Sequence, residues 1–185
     1  MSALAITSKD AVAQAIVSAR EPVIGQRAPS FTLKDQNDNE VSLDSLLKKG
    51  PVAVIFLRSA DWCVYCQLQL VQIQENLQEI ESSGGQIVAI SYDSPQKLKL
   101  FANRRKITFS LLSDPGSKVI GAYDMRSPVS NGNQAGCSRH GAFILDQEGI
   151  VRAKPYLISD QPRPLVDALL SALKEAQKPL IKPKP

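Results

Sequence analysis

The sequence predicts an α/β domain: a mixed central sheet flanked by helices, with an added N-terminal helix and β-hairpin. Three observations carry this expectation. Val52–Leu57 and Gln86–Tyr92 are short, continuous, β-rich apolar runs, as expected of strands buried on both faces. Segments with apolar residues at helical spacing alternate with them, which is the pattern of sheets covered by helices. Ala142–Leu145 and Ile150–Lys154 flank Asp146–Gly149, a glycine-containing hairpin signal, so the sheet is not purely parallel.

Each element has its own local reason. Ala11, Val12, Ala15, Ile16 and Ala19 recur at helical spacing behind a capping Ser8, giving a leading helix, and Glu21–Pro29 is a connector. Phe31–Leu33 and Glu40–Leu43 flank the polar run Asp35–Asn39, a β-hairpin. Leu43–Lys49 is a short helix stopped by Gly50. After Val52–Leu57 comes Arg58-Ser-Ala-Asp-Trp-Cys-Val-Tyr-Cys66 and then one helix, with Leu68, Leu70, Val71, Ile73, Leu77 and Ile80 as its apolar face and Gly84-Gly85 as its stop. Ser94-Pro95 opens a helix running to Arg105, with proline at its first position. Thr108–Leu112 is a strand, Asp114–Gly116 a turn, Ser117–Tyr123 a short helix and Met125–Ser138 a long polar loop. Gln161–Ala176, carrying Leu165, Val166, Leu169, Leu170 and Leu173, is the closing amphipathic helix.

These elements divide the chain into an N-terminal helical extension (1–20), one domain (21–176) and a Pro/Lys-rich tail (177–185). At 185 residues the chain buries a sizeable core without disulfide staples. The longest apolar run, Pro51–Leu57, has seven residues against the roughly 20 a membrane span needs, so no membrane partner is expected. The net charge of +4 gathers in the tail, where Lys174, Lys178, Lys182 and Lys184 face only Glu175. The rest is close to neutral and carries no groove-reading motif, so no nucleic-acid partner is expected. Met-Ser-Ala-Leu-Ala-Ile lacks the basic start and apolar stretch of a signal peptide. Three cysteines do not make a secreted disulfide framework, and the expected compartment is the cytoplasm.

The chemistry concentrates at Cys63-Val-Tyr-Cys66, where a buried strand hands over to a helix. The first helical turn has unpaired N–H groups and the positive end of the dipole, and both stabilise a thiolate. A second cysteine three residues on lies within one turn, able to resolve a mixed disulfide. A strand–CxxC–helix inside an α/β pattern is a redox signature. Cys137-Ser-Arg-His140 supplies the third cysteine and the sole histidine. Together, Cys63, Cys66, Cys137 and His140 are also ligand types suited to tetrahedral zinc. Cys137 has a further possible use as an extra resolving thiol, and the plain alternative is a loop cysteine and a surface histidine. Trp62 reads as a wall beside the cysteines, Asp61 as a solvated charge or cap, and Tyr92 and Asp93 as strand-closing residues.

Gly25-x-x-Ala28-Pro29-x-Phe31-x-Leu33, Val41-x-Leu43, Val54-Ile-Phe-x-Arg58 and Trp62-Cys63-x-x-Cys66 resemble the peroxiredoxin-like (AhpC/TSA) branch of the thioredoxin-fold superfamily. Ser91-x-Asp93-Ser94, Leu112–Gly116 and Ala142–Asp146 with Gly149 follow in the same order, so the resemblance covers about residues 22 to 173. It implies a thioredoxin-like fold and a thiol-dependent oxidoreductase that cycles Cys63–Cys66 between dithiol and disulfide. The substrate would be a hydroperoxide or a disulfide, with an unidentified thiol as electron donor and no cofactor. The family's Pro-x-x-x-Thr-x-x-Cys motif, fitted to Cys66, puts Ser59 and Cys63 at the Pro and Thr positions. His140 stands where the family has an arginine, with Arg139 and Arg58 as nearby cations, and Gly141 stands where thioredoxins have a cis-proline. For disulfide reduction Cys63 is expected as the more exposed attacking thiolate, with Cys66 resolving; for peroxide reduction the resemblance implies Cys66 as the peroxide-reacting residue. The alternative is a non-catalytic metal-binding or interaction domain with Cys63, Cys66, Cys137 and His140 as ligands. The assembly is left open, a homodimer being one outcome.

Overall fold

The computed structural model describes residues 21–129, 131–157 and 165–179. The expected leading helix, most of the Pro/Lys tail and positions 161–164 of the closing helix lie outside the described residues.

Seven strands form one mixed sheet. In chain order they are β1 (Thr32–Asp35), β2 (Glu40–Ser42), β3 (Val52–Phe56), β4 (Gln86–Ser91), β5 (Ser110–Ser113), β6 (Gly141–Leu145) and β7 (Val151–Leu157). Their spatial order is β2-β1-β5-β4-β3-β6-β7. β3, β4 and β5 run parallel, while β6 joins β3 and β1 joins β5 antiparallel. The mixed sheet and its thioredoxin-like arrangement agree with the expectation.

The two covering layers follow from strand alternation, since successive side chains point to opposite faces. Ala53, Ile55 and Leu57 look toward one core, together with Leu70, Ile73, Ile80, Leu98, Phe101 and Leu173. Those helical residues come from α2 (Val64–Glu75), α3 (Leu77–Ser82), α4 (Pro95–Arg105) and α6 (Leu165–Ala176). Val52, Val54 and Phe56 look the other way, onto α1 (Leu43–Leu47), α5 (Lys118–Ala122) and Phe31. On that side Phe56, Tyr123 and Phe143 form an aromatic trio with ring centroids 5.0 to 5.8 Å apart.

Turn chemistry sets the register. Asp35 Oδ1 accepts from the N–H groups of Asn37 and Asn39 at 2.7 and 2.9 Å, which closes the first hairpin. Asp146 Oδ1 does the same for Glu148 and Ile150 at 3.0 Å each, with Gly149 at φ +76°. Pro155 sits in β7, at one edge of the sheet, where the pairing slips between Ala142–Tyr156 and Ile144–Ala153. A proline cannot donate to the ladder, so it falls at an edge bulge. Gly50 adopts φ +147°, and a Cβ there would meet the Gly84 carbonyl oxygen at 2.7 Å, so this glycine lets the starts of β3 and β4 approach.

Two expectations need correction. The helix after the CxxC is not continuous: α2 ends and α3 begins at Asn76, whose ψ of 11° leaves the helical range. Its apolar face is also narrower than expected. Leu70, Ile73, Leu77 and Ile80 are buried, but Leu68 is 56% exposed and Val71 only half-buried.

Candidate active site

The cysteine pair lies past the C-terminal end of β3, at the first turn of α2. Cys63 is the N-cap, in extended conformation, and its Sγ accepts the Cys66 N–H at 3.3 Å. The sulfur at that position thus takes one of the otherwise unpaired amides of the helix start. Cys63 and Cys66 are joined by a disulfide, with Cα atoms 5.2 Å apart. Cys63 is 3% exposed and Cys66 fully buried, whereas the intervening Val64 and Tyr65 stand out into solvent.

The turn that carries the pair is fastened by a buried carboxylate. Asp93 Oδ1 accepts from Ser59 Oγ at 2.8 Å; its Oδ2 accepts from the Ala60 N–H at 2.7 Å and from Ser91 Oγ at 2.8 Å. Ser59 Oγ in turn accepts from the N–H groups of Asp61 and Trp62 at 3.0 and 3.3 Å. Three consecutive backbone amides before Cys63 are thus held by two side chains, and the buried charge is fully hydrogen-bonded. The sequence predicts only a strand-closing role for Asp93, and the structure adds this clamp. Ser59 and Ser91-x-Asp93 lie more than 30 residues apart, and nothing in their spacing ties the two segments together.

The loop after α5 closes over the other side. His140, just before β6, brings Nε2 to 3.0 Å from Cys66 Sγ and 4.0 Å from Cys63 Sγ. β6 pairs antiparallel with β3, Gly141 opposite Phe56, and this register delivers residue 140 to the cysteines. Ligand atoms of Cys63, Cys66 and His140 lie within 4.8 Å of one another, a set able to hold a metal ion once the cysteines are reduced. Cys137 does not join them. It is a buried free thiol whose pKa is raised by burial, with a hydrogen bond to Ser127 opposing the shift. Of the four residues with ligand chemistry in the sequence, three therefore converge, while the Cys137 carbonyl accepts from the Ser127 N–H.

The supporting residues separate in the same way. The Arg139 guanidinium donates to the Asp124 carbonyl, so the neighbouring histidine rather than Arg139 contacts the sulfurs. The Arg58 guanidinium lies 5.9 Å from the Trp62 ring centroid, a cation–π contact, and its Nε is buried without a hydrogen-bond partner among the described residues. Trp62 packs against the core and donates its Nε1–H to Tyr92 Oη at 2.8 Å; Tyr92 in turn donates to the Asn133 carbonyl. This chain ties the tryptophan beside Cys63 to the tip of the long loop. Asp61 is exposed and paired with Lys97 at 2.7 Å, and its carboxylate raises the lysine pKa.

Comparison with known proteins agrees with this geometry. The model of the AhpC/TSA family matches residues 24–154. The chain is 32% identical over 149 residues to the chloroplastic peroxiredoxin Q of Populus jackii, covering 80% of this chain and 67% of that one. It is 35% identical over 131 residues to alkyl hydroperoxide reductase E of Mycobacterium tuberculosis, covering 70% and 82%. Among solved structures, the peroxidoxin BcpB of Mycobacterium tuberculosis superposes with a TM-score of 0.73 at 22% identity, over 85% of this chain and all of that one. A peroxiredoxin-like protein from Aquifex aeolicus gives 0.72 at 22% identity, over 84% and 88%. These two likenesses show the fold. No helix among the described residues is long and apolar enough to cross a membrane. With its match across most of the domain and a disulfide at the expected pair, the chain belongs to the AhpC/TSA family and is a thiol-dependent oxidoreductase.

Proposed function

We propose that the protein reduces hydroperoxides, with Cys66 as the peroxide-reacting thiolate and Cys63 as the resolving thiol. The observation that carries this assignment is the 3.0 Å approach of His140 Nε2 to Cys66 Sγ. A ring N–H at that distance stabilises the Cys66 thiolate and offers a donor to the peroxide oxygens beside it. Cys66 also occupies the inner position of the pair, which favours a small oxidant over a protein disulfide. The names of the relatives, peroxiredoxin and alkyl hydroperoxide reductase, point the same way.

In the proposed cycle the two cysteines act in turn. The Cys66 thiolate attacks one peroxide oxygen, the O–O bond breaks, and the alkoxide takes a proton and leaves as an alcohol. The sulfenic acid left on Cys66 is attacked by Cys63, forming the S–S bond and releasing water. An external thiol then attacks Cys63, the more exposed sulfur, and the Cys66 thiolate leaves against His140. A second thiol of the donor frees Cys63, so two electrons enter per peroxide reduced.

The donor is a thiol compound or protein, the acting unit is residues 21–176, and the compartment is the cytoplasm; the cysteine usage of the sequence supports the last of these. A homodimer is the assembly to look for by sedimentation. The experiment is a pair of variants treated with hydrogen peroxide in the presence of a sulfenic-acid trap. Cys63→Ser accumulates a trapped sulfenic acid on Cys66 as fast as peroxide is consumed, and Cys66→Ser reacts no faster than a free thiol. The reverse pattern would reassign the two cysteines.

A further inference from the structure

We propose that the reduced enzyme binds one zinc ion through Cys63 Sγ, Cys66 Sγ and His140 Nε2, and that disulfide formation expels it. The proposal rests on the dithiol–disulfide cycle of the pair and not on the identity of the oxidant. Its basis is convergence: two sulfurs from one helical turn and an imidazole from a loop 74 residues away have ligand atoms within 4.8 Å of one another.

Tetrahedral zinc, with bonds of about 2.3 Å to sulfur and about 2.05 Å to nitrogen, needs S···N separations of about 3.6 Å and S···S of about 3.8 Å. The S···N distances of 3.0 and 4.0 Å straddle that requirement. Reduction breaks the S–S bond and lets the sulfurs part. The Cα separation of 5.2 Å then leaves both side chains free to turn toward one ion. Two thiolates and an imidazole are a soft-to-borderline donor set, which selects zinc over magnesium or calcium. Three protein ligands leave a fourth position for water or an added ligand, as in open rather than structural zinc sites. Cys137 does not fill it, being buried elsewhere and held protonated by that burial.

The balance is complete. Binding displaces the remaining thiol protons from Cys63 and Cys66. When a hydroperoxide oxidises the pair, two thiolates give up two electrons and form the S–S bond. The O–O bond breaks as it takes those electrons, its oxygens leave as an alcohol and water with two protons from solvent, both metal–sulfur bonds break, and zinc leaves a site reduced to one imidazole. Zinc would therefore cap the thiolates while peroxide is scarce and be released, one ion per disulfide, when it is not.

The test titrates zinc into the reduced full chain against a coloured chelator, with no peroxide present, and repeats the titration on the disulfide form. Expected are one equivalent bound by the reduced protein and none by the oxidised one, with cobalt as a spectroscopic substitute showing sulfur-to-cobalt charge transfer. Losing even an outer partner of a metal ligand costs about 10–100-fold in affinity, so His140→Ala weakens binding by at least about 100-fold. Cys137→Ala leaves it unchanged. Absence of stoichiometric binding, binding that survives disulfide formation, or a His140→Ala protein that binds like the wild type would each overturn the site. A peroxide rate measured separately with chelator present keeps failure here distinct from failure of the peroxidase assignment.

Discussion

His140 Nε2 stands 3.0 Å from Cys66 Sγ, although 74 residues separate the two in the chain. The contact exists because β6 pairs antiparallel with β3, so the residue entering β6 arrives where the chain leaving β3 turns into α2. It gives the inner sulfur a hydrogen-bonding partner that its own helix does not supply, while the outer sulfur takes the helix amide of Cys66.

Removing that partner slows the chemistry. A hydrogen bond to a charged group is worth about 1.5–3 kcal/mol, so His140→Ala lowers the rate of peroxide reaction at pH 7 by about 10–100-fold. Stopped-flow measurement on metal-free, fully reduced protein checks this, and the far-UV spectrum should not change.

The Asp93 clamp carries stability as well as geometry. Asp93→Ala leaves Ser59 Oγ, the Ala60 N–H and Ser91 Oγ without their acceptor. Each buried group left unsatisfied costs about 1–3 kcal/mol, so the variant loses about 3 kcal/mol or more in urea unfolding. Its reaction rate falls too, since the turn before Cys63 is no longer fixed.

Alkaline pH weakens the fold through two groups. Burial raises the Tyr123 phenol and the Cys137 thiol above their ordinary values of 10.0 and 9.0. In both cases the folded state holds its proton at a pH where the unfolded chain has released it. Their contribution is therefore whole below pH 9 and is lost progressively above it. Urea midpoints should be flat up to that point and then decline. Tyr123→Phe shallows the decline, at a cost of about 1 kcal/mol near neutrality for the lost hydrogen bond to the Pro29 carbonyl.

Cys137 is expected to be chemically silent in the folded protein. It is fully buried, held by Ser127 and protonated at neutral pH, and thiolate is the species that reacts. Brief alkylation of native, reduced protein should label Cys63 first and leave Cys137 untouched until denaturant is added, which peptide mapping resolves.

Much of this was legible in the chain because it is local. Val52–Leu57 is apolar without interruption and supplies β3, an interior strand buried on both faces; Asp35 and Asp146 announce their hairpins through side chains that cap their own turns. The break at Asn76 was hidden for a physical reason: Leu70, Ile73, Leu77 and Ile80 keep one helical rhythm across it, and a rhythm reports which side is buried, not whether the backbone is continuous. In the site, the CxxC and its helix start could be read directly. That His140 joins it while Cys137 turns away could not, since both sit in one C-x-x-H and only the pairing of β6 with β3 distinguishes them. The Ser59–Asp93 clamp was invisible likewise, being a contact between the ends of two neighbouring parallel strands.

A peroxide-driven cycle confined to Cys63 and Cys66 leaves a distinct product. Its most direct measurement mixes fully reduced full-length protein with one equivalent of hydrogen peroxide, follows the rate, and maps the cysteines after quenching. Expected are consumption far faster than by a free thiol at the same pH, two thiols lost, a single Cys63–Cys66 disulfide and Cys137 still reduced. A rate matching free cysteine, or a disulfide that includes Cys137, would contradict it.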